Sequence, residues 1–147
     1  MRTIGRAGRE LDNIGPAIVV THSQSGLFGW LLATRRPSLV KAVISYEPGF
    51  VFPEGAVPPT AAGGLWRQHP RHAHSGSGRR RGRAQVVASV VFQGPVNSRG
   101  GDAEILHLPD AGLFGNSHFS YSDLNNLEVA DRLSLFLHQK GLDRRKP

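Results

Sequence analysis

The chain has 147 residues, of which 39% are apolar and 20% charged, with no cysteine and a formal net charge of +7. Those totals suit one globular domain that buries roughly 70% of the surface its unfolded chain exposes, and not a disordered segment. The lack of cysteine excludes disulfides, thiolate catalysis and cysteine-ligated zinc. No apolar stretch approaches the ~18 residues of a membrane span, and the basic start MRTIGRAGRELDNIG lacks the apolar core of a signal peptide, so a cytoplasmic location is the default expectation. The charge itself is local. Arg67, Arg71, Arg79, Arg80, Arg81 and Arg83 carry six of the seven net charges, and no acidic residue occurs between Glu54 and Asp102. An excess confined to one segment is not the basic face of a nucleic-acid-binding fold.

In chain order, Leu11 to Ile14 leads into Pro16-Ala-Ile-Val-Val20, a short continuous apolar run of the kind found in parallel strands buried on both faces. Gln24 to Arg35 reads as a helix with Leu27, Trp30 and Leu31 on one stripe. Arg35 and Arg36 fall in its last turn, where cations suit the helix dipole, and Pro37 marks the stop. Leu39 to Tyr46 is a second strand, closed by Glu47-Pro48-Gly49. Strand, helix and strand with short joints make a βαβ unit, which implies a parallel sheet. Phe50 to Gly64 reads as loop, Leu65 to Arg83 has no periodicity of either kind, and Gln85 to Phe92 has strand composition without strand flanks. Asp102 to Leu108 is a strand followed by Pro109, and a loop from Asp110 to Tyr121 leads to a last helix. Asn125 and Glu128 there fit a capping box, Leu127, Ala130, Leu133 and Phe136/Leu137 form the expected buried stripe, and Gly141 fits the stop.

The stretch Thr21-His22-Ser23-Gln24-Ser25-Gly26 joins the first strand to the first helix. In a nucleophile elbow the serine sits at such a turn, and small residues two before it and two and three after it avoid clashes. Thr21, Ser25 and Gly26 meet that need around Ser23, whereas a frame on Ser25 would put Leu27 and Phe28 at the small positions. The same turn aims the Gln24 backbone N–H at the place where a tetrahedral oxyanion forms. An ordinary serine-capped strand-to-helix turn is the competing reading, since Thr21 stands where G-x-S-x-G has its first glycine.

Taken with Gly29-Trp30, Val43-Ile-Ser-Tyr-Glu47-Pro48, Gly115-Asn-Ser-His118 and Asp123-Leu-Asn-Asn, this elbow resembles a bacterial serine esterase branch of the α/β hydrolases, over about residues 9–58 and 94–143. The resemblance implies an α/β fold with a mainly parallel sheet and flanking helices. It implies Ser23 as nucleophile, Glu47 as the acid after the next strand, and His118 as general base, with the Gln24 backbone N–H in the oxyanion hole. Ser, Glu, His is also the superfamily's chain order. The substrate would be a small-molecule carboxylic ester, with no cofactor or metal. The residues agree independently: Ser23 and Glu47 follow the C-terminal ends of neighbouring parallel strands, where α/β sites assemble, and His118 lies in the loop after a third. His22 is expected to point away across the turn and pack. His107 reads as a core or edge histidine and His138 as a solvated one, while His69, His72 and His74 have no carboxylate partner for a metal.

Two expectations mark departures from that branch. Its fold begins with several strands before the elbow strand, and these supply a second oxyanion donor; about fifteen residues precede the elbow strand here. The chain is therefore expected to be a single truncated hydrolase domain over 1–147, lacking the N-terminal strands and leaving the elbow strand at an exposed edge. Residues 60–92 read as an irregular basic segment, frame-shifted or disordered, between two blocks that match. The alternatives are a catalytically inactive hydrolase remnant and a basic binding module. Arg79-Arg80-Arg81-Gly82-Arg83 lacks the aromatic interleaving of a nucleic-acid site, so no nucleic-acid partner is expected; oligomeric state is left open.

Overall fold

A computed structural model of the chain describes residues 2–48, 62–67, 97–98 and 101–144. Helix α1 (Arg2–Ile14) opens it, followed by strand β1 (Ala17–His22), a short 3-10 turn at Ser23–Ser25 and helix α2 (Gly26–Arg35). Strands β2 (Val40–Tyr46), β3 (Ala62–Arg67) and β4 (Asp102–His107) come next, and helix α3 (Asn126–Gln139) ends the described chain. The four strands form one parallel sheet in the order β1-β2-β3-β4. Parallel pairing requires crossovers, and α2 is the first of them.

The sheet separates two apolar clusters by the period-two alternation of strand side chains. Val43 and Ala103 face one way, against Ile4 and Leu11 of α1 and Trp30, Leu32 and Ala33 of α2. Ile44 and Tyr46 face the other way, with Leu108, Leu113 and the α3 residues Val129 and Phe136. Helices therefore cover both faces, and β2 is buried along nearly its whole length. The β1 run, although as apolar, lies at the sheet's edge, and Val20 is 59% exposed. The expectation that the Pro16 to Val20 run is buried on both faces thus fails, because a continuous apolar run carries no information about which strand is flanked on both sides. The place of β1 at the sheet's edge is the one expected of the elbow strand.

Three other details differ from the sequence reading. Leu11 to Ile14 ends a helix instead of leading into the strand. Ile4, Ala7 and Leu11 recur at helical spacing and pack on the α1/α2 cluster, Gly15 closes the helix at φ 82°, and its N–H bonds the Leu11 carbonyl at 2.9 Å. Asp12 and Arg36 then tie α1 to the end of α2 at 3.0 and 3.3 Å. Strand β3 starts at Ala62, inside the stretch read as loop and as irregular basic sequence. Two glycines give it almost no pattern, and its partners on both sides supply the order. The rest of 60–92, including the Gln85–Phe92 candidate strand, Arg79 to Arg83 and His69, His72 and His74, lies outside the described residues. In α3 the buried side chains are Val129 and Phe136, with Leu133 and Leu137 beside them, while Leu127 is 76% exposed. The helix is rotated relative to the expected stripe because its apolar residues Leu127, Val129, Ala130, Leu133, Leu135, Phe136 and Leu137 admit more than one apolar face. Gly141 does stop it, at φ 63°, with the Leu142 N–H reaching back to the Leu137 carbonyl at 2.8 Å.

Candidate active site at the carboxyl end of the sheet

The register of β1 on β2 pairs His22 with Tyr46. The next residue on each strand is Ser23 and Glu47, so the two emerge side by side at the carboxyl edge. Both adopt left-handed backbone conformations, φ 53° for Ser23 and 44° for Glu47, and among the described residues they are the only non-glycines that do. Such conformations cost on the order of 1–3 kcal/mol each and persist only where the surroundings hold them.

What holds Ser23 is visible on both sides of it. Thr21, buried below the turn, shares a 2.8 Å hydrogen bond with the Ser45 hydroxyl of β2 and donates at 3.3 Å to the Ile44 carbonyl. Beyond it, Ser25 closes the turn twice: its hydroxyl accepts the His22 N–H at 2.9 Å and donates to the His22 carbonyl at 2.7 Å. The Gly26 N–H bonds the Ser23 carbonyl as α2 begins. Gly29 lets α2 lie directly on the sheet, since a Cβ there would sit 2.9 Å from Val43 Cγ1 and 3.0 Å from Thr21 Cγ2. Thr21, Ser25 and Gly29 thus each answer to a contact within the turn or between α2 and the sheet. Glu47 is largely buried.

His118 is carried by a loop with its own framework. Asp123 accepts the Ser117 N–H at 2.5 Å and the Ser117 hydroxyl at 2.8 Å, and that hydroxyl accepts the Phe119 N–H at 3.1 Å. Asn116 and Asn125 exchange side-chain amide hydrogen bonds of 2.5 and 2.9 Å. The stretches Gly115 to His118 and Asp123 to Asn126, separate in the sequence, are one hydrogen-bonded unit around the histidine. Asn125 precedes α3, but its side chain bonds Asn116 and does not cap the helix, so the expected capping box is replaced by a loop contact.

The loop meets the β1 edge through His22. The His22 and His118 rings lie 4.6 Å apart, and a ring nitrogen of His22, Nε2, is 2.9 Å from the His118 carbonyl oxygen. Phe119 at 4.8 Å and Tyr121 at 5.2 Å complete an aromatic cluster around His22, and Tyr121 also meets Tyr46 at 5.6 Å. His22 therefore points toward the His118 loop and not away from it, which corrects the sequence expectation. The contact spans 96 positions, and no local spacing signals it. Desolvation first, and the neighbouring His22 second, hold the His118 imidazole below its ordinary pKa. His118 is consequently neutral, and able to accept a proton, down to a lower pH than a solvated histidine.

The remaining histidines lie elsewhere. His107 pairs with Asp110 through Nδ1 at 3.0 Å, and exposed His138 pairs with Asp143 at 2.8 Å. Among the described residues no group of three or more potential ligands is placed to hold a metal ion, and no helix is long and apolar enough to cross a membrane.

No family model matches the chain. It is 55% identical over 38 residues, 26% of its length, to a probable secreted lipase of a fungal species (strain ATCC 74256), of which that stretch is 10%. Its structure is similar to that of a bacterial esterase, with a TM-score of 0.83 and 26% identity over 94% of this chain and 42% of the esterase. It is also similar to a predicted hydrolase from Thermoplasma acidophilum, with a TM-score of 0.59 and 13% identity over 92% of this chain and 60% of the other, a likeness of fold alone. The chain thus spans less than half of the bacterial esterase. The parallel sheet with helices on both faces is the α/β-hydrolase fold, and these likenesses to an esterase, a hydrolase and a lipase fit that superfamily.

Proposed function

We propose that the chain is a serine hydrolase of small-molecule carboxylic esters that works through an acyl-enzyme, with Ser23 as nucleophile, His118 as general base and Glu47 as the acid behind it. The observation that carries the proposal is the pairing of Ser23 and Glu47, two strained non-glycine residues at the carboxyl ends of adjacent parallel strands. Strain of that kind is retained at functional sites, and ligands of open α/β sheets bind at the carboxyl edge. The likeness to a bacterial esterase and to a lipase supports esters as the substrate class.

In this mechanism His118 takes the Ser23 hydroxyl proton as Oγ attacks the ester carbonyl carbon. The Gln24 N–H, at the start of the turn into α2, donates to the resulting oxyanion. Collapse of the tetrahedral intermediate breaks the bond to the alkoxide, which leaves with the proton from His118. Water then attacks the acyl-enzyme, its proton passing to His118 and back to Ser23 as the acid departs. Glu47 orients the imidazole and stabilises its protonated form. The chemistry calls for no metal or cofactor.

A fluorophosphonate tests this without a guess about substrate, because it needs only an activated serine. Mass spectrometry of the treated protein is expected to find the adduct on Ser23 and to find it absent in His118→Ala. A folded sample with no adduct on Ser23 sinks the proposal and leaves an inactive protein of the same fold.

A further inference from the structure

We infer that His22 is a positioning residue for His118: it donates its Nε2–H to the His118 main-chain carbonyl and backs the His118 ring with its own. The inference rests on the hydrolase reading for its consequence in catalysis, but its geometry is independent of that reading. The carbonyl oxygen can only accept, so the 2.9 Å contact makes Nε2 the protonated nitrogen of His22. A hydrogen bond to the main chain fixes where the His118 backbone sits, and the ring contact at 4.6 Å with a 52° tilt limits how the imidazole can turn.

His22 is also the residue immediately before Ser23, and its backbone is clamped on both sides by Ser25. One residue therefore connects the turn that strains the serine to the loop that carries the base, so a shift of either is transmitted to the other. A base misplaced by about 1 Å costs rate steeply, and the precision of such a site depends on the groups that support it. The framework inside the loop, from Asn116 to Asn125, orders the loop against itself, and the contacts of His22 with His118 and of Tyr46 with Tyr121 help to dock it on the sheet edge.

The groups facing His118 and its partner set the expected pH behaviour. His22 comes from the end of β1, Phe119 and Tyr121 from the loop itself, and Glu47 follows Tyr46 at the end of β2. His22 desolvates the His118 ring and, when protonated, repels its positive form. Removing His22 therefore raises the pH at which His118 loses its proton.

Two variants separate the parts. His22→Phe keeps a ring and loses the donor; His22→Gln keeps a donor and loses the ring. The measurements are the fluorophosphonate labelling rate of Ser23 across pH and the His118 titration followed by NMR. His22→Phe is expected to label about five- to tenfold more slowly at pH 7, the worth of one hydrogen bond, and His22→Gln is expected to recover most of that loss. In His22→Gln the His118 titration, and the acid limb of labelling with it, are expected to move up toward an ordinary histidine's. Variants that label at the wild-type rate with an unmoved His118 titration overturn the inference. So does a His22→Gln protein that is as slow as His22→Phe with the titration unmoved, which marks His22 as a packing residue only. The NMR titration does not need Ser23 to react. Absence of any adduct in the wild type therefore counts against the hydrolase reading, and an unmoved His118 titration counts against His22.

Discussion

Gly29 offers the sharpest test of how the serine turn is held. In most helices a glycine-to-alanine change stabilises by up to about 1 kcal/mol, because glycine loses more backbone entropy on folding. At Gly29 the new methyl would lie 2.9 Å from Val43 Cγ1 and 3.0 Å from Thr21 Cγ2. Neither is the end of a flexible side chain. Val43 is fully buried, and Thr21 is tethered through its hydroxyl to Ser45 and Ile44. The helix must therefore lift or Thr21 must turn, and overpacking of this kind costs about 1–3 kcal/mol. Set against the propensity gain, Gly29→Ala is expected to destabilise by about 1–2 kcal/mol. With a urea m-value of about 1–3 kcal/mol/M, the unfolding midpoint falls by roughly 0.5–1 M. Gly5 is the control: it is exposed on α1 with nothing within 4 Å of its built Cβ, and Gly5→Ala is expected to raise the midpoint. If Gly29→Ala raises it as well, the close approach of α2 to the sheet is not what the distances say, and the account of the turn's rigidity fails.

Three further outcomes are expected. Ser23→Gly relieves a left-handed conformation and should raise stability by about 1 kcal/mol while abolishing labelling; a less stable variant in urea unfolding would contradict strain at this position. Asp123→Ala removes both bonds to Ser117, so labelling of Ser23 should slow severalfold with little change in melting temperature; unchanged labelling would show that the loop holds His118 without them. Lys140 bonds Asp102 at 2.6 Å and pairs with Glu104, joining the end of α3 to β4. Lys140→Met should cost roughly 0.5–1 kcal/mol in mild salt, the scale of partly exposed ion pairs. The Asp102 and Glu104 bonds raise the Lys140 pKa in the fold, so the stability they add is fully present below an ordinary lysine's titration range and lost as pH climbs through the raised value. The gap between wild type and variant should therefore close only in strongly alkaline solution, and a gap already closed at pH 8 would rule out the ion pairs as its source.

Much of the fold was legible because its signals are local. The apolar runs at Ile18 to Val20 and Val43 to Tyr46, the proline and glycine stops, and the small residues around Ser23 each express a requirement met within a few positions of the chain. The same is true of the strain at Ser23, which follows from a sharp turn between a strand and a helix. Strand β3 was not legible, since Gly63 and Gly64 have no side chains to set a pattern, and its order comes from pairing with β2 and β4. The face of α3 was misread because Leu127, Val129, Leu133 and Phe136 permit more than one apolar stripe, and only the position of the sheet chooses Val129 over Leu127.

The sequence by itself determined the parallel α/β class, the serine turn and the residues flanking it, because backbone geometry and side-chain size act over short distances. Only the tertiary structure decided that Glu47 shares the left-handed conformation of Ser23 beside it and that His22 turns toward the loop bearing His118. Those are properties of register and of contacts between residues 24 and 96 positions apart. No spacing along the chain encodes them, since they exist only once the sheet has brought its strand ends together.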